Sequence, residues 1–264
     1  MARPIVTLTT DFGTSDAFVG AMKGVILGIN PNAVIVDLTH DIPPQDVSSA
    51  AFVFATALPS FPADTIHVIV VDPGVGSGRL PIGVRGPCGL FVCPDNGLLS
   101  YVLDTSDTTL TKLPEGWSAY HLTDERYWRQ PLSNTFHGRD IFAPVAGHLS
   151  LGVAPEHMGS RIDSVLTFPV PRPVKANGVL TGRVIHVDRF GSLVTNIKGD
   201  QVSMDATVSI SARPIAGLSQ IYQADEALLA IVGSSGYVEI AVPNGSAAME
   251  LGAGVGDEVS VRLR

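Results

Sequence analysis

Asp72 and Arg79 stand at the two ends of the run Asp72-Pro73-Gly74-Val75-Gly76-Ser77-Gly78-Arg79. The run follows Ile66-His67-Val68-Ile69-Val70-Val71, a β-branched apolar stretch that reads as a buried strand. In open α/β sheets, ligands bind outside the carboxyl ends of the strands. A glycine-rich turn in that place suggests a phosphate cradle, but the spacing is not G-x-x-x-x-G-K-[ST] and the leading carboxylate would repel an anion. A loop offering one carboxylate and one guanidinium suits a neutral or zwitterionic polar substrate better. A structural Asp–Arg ion pair fits the same residues.

Three other constellations carry polar chemistry. Asp11 and Asp16 bracket the turn after the strand-like Ile5-Val6-Thr7-Leu8-Thr9-Thr10. A carboxylate at a strand end can accept both hydroxyls of a ribose, and Asp16 could hold an ammonium group. A turn aspartate and a helix cap explain the pair equally well. Thr135-Phe136-His137-Gly138-Arg139-Asp140 crowds four polar or charged side chains around a glycine ahead of an apolar helix containing Pro144. Asp188-Arg189-Phe190-Gly191-Ser192 and Gly233-Ser234-Ser235-Gly236-Tyr237-Val238-Glu239 each put small polar groups and an aromatic near a turn. Such groups can hydrogen-bond the edge of a base and stack on its face, and hairpin turns alone also account for them.

The elements that must position these groups follow from periodicity. A helix is expected from about Asp16 to Ile29, with Phe18, Met22, Val25, Ile26 and Ile29 on one face and Ser15 or Asp16 as cap. Ala33 to Leu38 reads as a strand, and Val47, Ala51, Phe54 and Leu58 fall on one face of a second helix. Ile66–Val71 and Gly89–Cys93 complete a βαβαβ alternation. The expected fold class is α/β, with an N-terminal, mostly parallel α/β sandwich followed by a small C-terminal all-β barrel. Pro169, Pro171 and Pro173 mark a linker, so the division is expected at 1–171 and 172–264. Strands are expected at Gly178–Asp188, Ser192–Lys198, Val208–Ile210, Glu226–Val232, Tyr237–Val242 and Glu258–Leu263, with no helix among them.

Composition limits the partners. The 264 residues are 45% hydrophobic and 16% charged, a globular balance. A net charge of −8 argues against nucleic acid, and no apolar run approaches the ~20 residues of a membrane span. The start runs directly into a strand pattern, so no signal peptide is read and the cytoplasm is the expected compartment. Cys88 and Cys93 are expected to be small buried hydrophobes rather than a disulfide. No His or Cys spacing matches a metal motif, so no metal is expected. No G-x-S-x-G elbow or G-x-G-x-x-G opening the first helix is present.

Seven segments in order carry a resemblance. They are Thr10-Asp11-Phe12-Gly13-Thr14, Asp41-Ile42-Pro43, Val71-Asp72-Pro73-Gly74-Val75-Gly76, Pro94-Asp95-Asn96-Gly97, Thr135–Asp140, Asp188-Arg189-Phe190-Gly191 and Gly236–Ala241. With these the chain resembles, over essentially its whole length, the S-adenosyl-L-methionine (SAM) hydroxide adenosyltransferases, or SAM hydrolases, relatives of the fluorinase and chlorinase. The resemblance implies a homotrimer with sites between the N domain of one subunit and the C domain of the next. It implies SAM as substrate with no cofactor, and Asp72, Arg79 and His137 as a set that works on water. Asp11 would bind ribose, and Asp16 and Asp188 methionine. Adenine contacts would fall around Phe190, Ser192, Ser234 and Tyr237, with Glu239 also on the substrate-binding strand. Ser192 stands where the family usually has Asn, and Gly233 and Ser235 where it has Asn and Phe. The alternatives are a SAM-dependent halogenase and a non-catalytic SAM or adenosine sensor. Val75 offers no hydroxyl to a halide, and binding alone does not require all of Asp72, Arg79 and His137.

Overall fold

The computed structural model describes residues 3–106, 109–222 and 227–262. The chain divides into two units, Met1–Val170 and Pro171–Arg264.

In the first unit the strands are β1 (Ile5–Thr10), β2 (Val34–Thr39), β3 (Ile66–Val70), β4 (Pro81–Gly86), β5 (Gly89–Pro94), β6 (Leu110–Lys112), β7 (Ser118–Leu122), β8 (Gly159–Ile162) and β9 (Ser164–Leu166). The helices are α1 (Phe18–Ile29), α2 (Val47–Ala57) and α3 (Ala143–Ser150). Seven strands form one sheet in the order β2-β1-β3-β5-β4-β7-β8. The β2-β1-β3-β5 half is parallel, and its carboxyl ends carry Asp11 and Asp72. The other half is antiparallel, so the sheet is mixed. β4 begins at a proline directly after the glycine loop and turns back on β5, which reverses the strand direction there.

β3 explains why its sequence is apolar without alternation. Ile66, Val68 and Val70 enter the core shared with α1 and α3, beside Met22, Ile26 and Phe142. Ile69 and Val71 enter the core on the α2 side, beside Phe54 and Phe91. A strand covered on both faces has no polar side to show.

α1 begins at Phe18 behind Ala17, which makes no side-chain cap, so neither Ser15 nor Asp16 caps it. Phe18 is not on the buried stripe. It is exposed and packs edge-on against Phe136 and tilted against Phe12, at ring centroid distances of 5.2 and 5.7 Å. α2 has a capping side chain, since Asp46 accepts from Ser49 N at 2.9 Å. α3 starts at Ala143, preceded by one π-helical turn, Gly138–Phe142, closed by Ala143 N donating to Gly138 O. Both cysteines are free; Cys93 is buried and Cys88 half-buried.

The second unit holds β10 (Val174–Ala176), β11 (Val179–Val187), β12 (Leu193–Lys198), β13 (Thr207–Ile210), β14 (Arg213–Ala216), β15 (Leu229–Val232), β16 (Tyr237–Ala241) and β17 (Glu258–Arg262). They pair antiparallel in the order β14-β13-β17-β11-β12-β16-β15, with β10 beside β11. Beyond β14, Ser219 bridges to Ile231 of β15, which nearly closes the sheet into a barrel. The expected strand starts and ends at Glu226 and Leu263 lie outside the described residues. The expectation of no helix is corrected by α4 (Ala247–Leu251). At five residues it is too short to display a period, but Ser246 caps it by accepting from Met249 N, and Gly252 ends it at φ +59°. Among the described residues no helix is long and apolar enough to cross a membrane.

Candidate active site

The Asp72–Arg79 loop is folded by its own turns. Val75 N donates to Asp72 O and Ser77 N to Gly74 O, at 3.2 and 3.0 Å. Ser77 Oγ then donates to Gly74 O at 2.6 Å. Gly76 has φ +75°, and a Cβ there would collide with the carbonyl oxygen of Asn134. Backbone conformation and close approach therefore both require glycine. The loop is thus pressed onto the segment that carries His137. At its root, Asn96 Nδ2 donates to Val71 O at 2.9 Å, tying the end of β5 to the residue before Asp72.

This folding brings Arg79 back onto Asp72. Arg79 Nε lies 2.9 and 3.0 Å from the two carboxylate oxygens, and Nη2 donates to Oδ2. The same Nη2 lies 2.9 Å from His137 Nδ1. The side chains of Asp72 and Arg79 are 6% and 9% exposed, so each charge relies on its partner rather than on water. Phe142 covers the guanidinium, with its ring centroid 5.2 Å from Arg79 Cζ. Asp72, Arg79 and His137, the set that the family resemblance implies, form one cluster.

The cluster fixes a tautomer. Arginine only donates, so His137 Nδ1 must accept, and a neutral ring then carries its proton on Nε2. The ring's pKa is lowered, first by burial and then by the positive charge of Arg79, against opposing effects of Asp72 and Asp140. A neutral imidazole with an N–H directed away from Arg79 is a hydrogen-bond donor to an acceptor placed beside it.

Asp140 closes the Thr135–Asp140 motif. It is fully buried. Its carboxylate accepts from Arg139 Nε and Nη2 at 2.7 and 2.9 Å, from Arg129 Nη1 at 3.2 Å and from Ser133 N at 2.9 Å. Burial acts to raise its pKa, but these donors hold the carboxyl below its ordinary value. Asp140 therefore ties residues 129–133 to the turn that begins at His137.

Asp11 is half-buried at the end of β1, and its Oδ2 accepts from Gln45 N at 2.8 Å. Asp16 is exposed in the loop before α1. The remaining candidates lie in the second unit. Asp188 Oδ1 accepts from Phe190 N at 2.9 Å and from Ser192 N at 2.8 Å, shaping a tight turn between β11 and β12. That turn leaves Phe190 79% exposed while burying Ser192. Glu239 is buried on β16, paired in register with Val194 of β12. Its pKa is raised by burial and by the charge of Asp188, and Tyr222 Oη donates to it at 3.4 Å. Ser234 is exposed in the β15–β16 turn. Tyr237 lines a cavity of about 440 Å³ with Lys198, Asp200, Val232 and Ser235. Among the described residues, no group of three His, Cys, Asp or Glu side chains could hold a metal ion.

Comparison with known proteins gives a consistent set of relatives. The model of the SAM hydroxide adenosyltransferase N-terminal domain matches residues 6–159, and that of the C-terminal domain matches residues 182–260. The chain is 37% identical over 264 residues to an (R)-S-adenosyl-L-methionine hydrolase of Salinispora arenicola, covering 98% of each chain. A fluorinase of Actinoplanes sp. is 27% identical over 222 residues, covering 74% of this chain and 72% of its own. A solved structure of an uncharacterized conserved protein from Thermotoga maritima superposes with a TM-score of 0.88 at 34% identity, covering 98% of this chain and 100% of that one. The chain belongs to the SAM hydroxide adenosyltransferase family.

Proposed function

We propose that the protein hydrolyses SAM to adenosine and L-methionine by attack of water or hydroxide at ribose C5′. The observation that carries this reading is the buried Asp72–Arg79–His137 cluster at a strand end, with Arg79 shared between the other two. The hydrolase name of the Salinispora arenicola relative, which matches over 98% of this chain, agrees with it, and the fluorinase is the more distant relative.

The chemistry asks little of an acid, because a sulfonium leaves as a neutral thioether. The task is to hold a nucleophile about 3–3.5 Å from C5′ and opposite the sulfur. Hydroxide and sulfonium annihilate charge as they react, so a site that excludes water favours the step. Arg79 contributes fixed positive charge and His137 an Nε2–H donor, and both favour bound hydroxide over water before attack, the proton lost from water passing to solvent; the negative charge is discharged as the O–C5′ bond forms and the C5′–S bond breaks. Asp72 offsets the guanidinium, which keeps the three side chains together near neutrality and leaves the substrate's sulfonium unrepelled.

Substrate contacts are assigned by residue. Asp11 accepts the ribose hydroxyls, and Asp16 and Asp188 take the methionine ammonium. Phe190, Ser192, Ser234 and Tyr237 form the adenine side, and Glu239 is a further substrate-binding residue. The working form is a cytoplasmic homotrimer that completes its sites across subunits, with neither metal nor cofactor. The test is incubation with SAM in the presence and absence of chloride, followed by chromatography. Adenosine and L-methionine in both samples support the reading. 5′-Chloro-5′-deoxyadenosine would support the halogenase, and binding without turnover would support the sensor.

A further inference from the structure

The loop after β1 is gripped from one side by a single histidine that the reaction does not use. Thr10, the last residue of β1, is fully buried, and its Oγ1 lies 2.8 Å from Nδ1 of the buried His40. The same Oγ1 accepts from Phe12 N at 3.3 Å. Gly13 N donates to the backbone oxygen of His40 at 2.8 Å. The residues on both sides of Asp11 are thereby tied to His40.

The other face of His40 meets a carboxylate. Its Nε2 approaches Asp37 Oδ1 at 3.0 Å without hydrogen-bond geometry, and Asp37 Oδ2 takes Lys23 Nζ at 2.5 Å. The chain of contacts runs from α1 through β2 to the end of β1. His40 also opens the segment whose Gln45 N–H holds Asp11 Oδ2. Gln45 reaches that position with φ +67°, a left-handed conformation that costs a non-glycine residue of order 1 kcal/mol and is retained where the surroundings enforce it. Asp11 Oδ1 makes no hydrogen bond among the described residues, so one carboxylate oxygen is pinned and the other is presented.

We propose that His40, acting through Thr10 and the backbone of residues 12–13, is a positioning residue that aims Asp11 at the 2′,3′-diol of the bound nucleoside. The inference rests on the assignment of Asp11 to ribose. An imidazole suits the task because its two nitrogens face opposite ways and can engage Thr10 and Asp37 at once.

Binding of adenosine and of 2′,3′-dideoxyadenosine, measured by calorimetry on the intact protein, separates aiming from general support. Wild-type protein is expected to prefer adenosine by about tenfold or more, the value of one lost charge-assisted hydrogen bond. In His40→Phe and in Thr10→Val that preference collapses toward one, while dideoxyadenosine binds as before. His40→Asn, which keeps a polar atom near Nδ1, restores part of it. A purely structural role weakens both ligands in parallel and keeps the ratio, and that result overturns the proposal. If His40→Phe does not fold, Thr10→Val carries the same comparison. Asp11→Asn distinguishes the two layers. Loss of the preference there but not in the His40 and Thr10 variants refutes the positioning role alone. Retention of the preference in Asp11→Asn, or a wild-type protein that ignores adenosine, refutes the ribose assignment and the inference with it.

Discussion

Arg79 Nη2 serves Asp72 and His137 at once, 2.9 Å from the imidazole Nδ1. A guanidinium cannot accept a hydrogen bond, so this contact holds only while Nδ1 is unprotonated. The acid limb of activity should therefore report His137. Burial and then Arg79 lower its pKa, so kcat/KM should stay level as pH falls through the ordinary histidine value of about 6.5 and decline only below it. Arg79→Gln removes a positive neighbour and should raise the ring's pKa, as read by an NMR titration of His137. A limb at or above the ordinary value, or a ring indifferent to Arg79, would contradict the assignment.

Asp140 carries no chemistry in this account but holds the turn that presents His137. Asp140→Ala removes a buried acceptor of three charge-assisted bonds and one backbone bond. It should cost about 2–4 kcal/mol in urea unfolding and depress kcat through displacement of His137. Unchanged stability would mean that Arg129 and Arg139 are held by other means.

Gly76 tests the docking of the Asp72–Arg79 loop. Gly76→Ala meets both a left-handed φ and the Asn134 carbonyl. A loss of roughly 1–3 kcal/mol is expected, with kcat reduced about tenfold or more, since a displacement of 1 Å at a reacting centre costs far more than that in rate. Wild-type kcat in this variant would show that the loop does not need its seat.

His67 sets a pH dependence of stability away from the chemistry. It is fully buried on β3, bonded to Thr7 Oγ1 at 2.8 Å and stacked on Phe91. Burial pushes its pKa down to about 4. The unfolded chain takes up this proton at about 6.5, so the contribution is complete above that pH and is lost progressively as pH falls toward 4. The span corresponds to about 3 kcal/mol. Urea midpoints at pH 7 and pH 4.5 should differ more in the wild type than in His67→Gln. Equal differences would place the acid sensitivity elsewhere.

Legibility in the sequence tracked how local the signal was. The strand at Ile66–Val71 and the helices before it were readable because their apolar patterns have a period. β4 was not, since two of its first three residues, Pro81 and Gly83, break strand patterns. α4 was too short to show a period. Asp72, Arg79 and His137 could be singled out by residue type, although nothing local brings position 137 to position 79. That meeting depends on Gly76 docking against Asn134. Asp140 stands in the motif that carries His137, but its role depends on Arg129 and Ser133 from another part of the chain. His40 showed no metal spacing and appeared uninformative, because its partners Thr10 and Asp37 lie on two different strands.

The most direct test of the central claim is turnover of SAM in ¹⁸O-labelled water, followed by mass analysis of both products. One labelled oxygen is expected in adenosine at C5′ and none in L-methionine. Asp72→Ala and His137→Ala are expected to lower kcat far more than they weaken SAM binding. Label in methionine, absence of label from adenosine, or equal losses of binding and turnover in the two variants would contradict the claim.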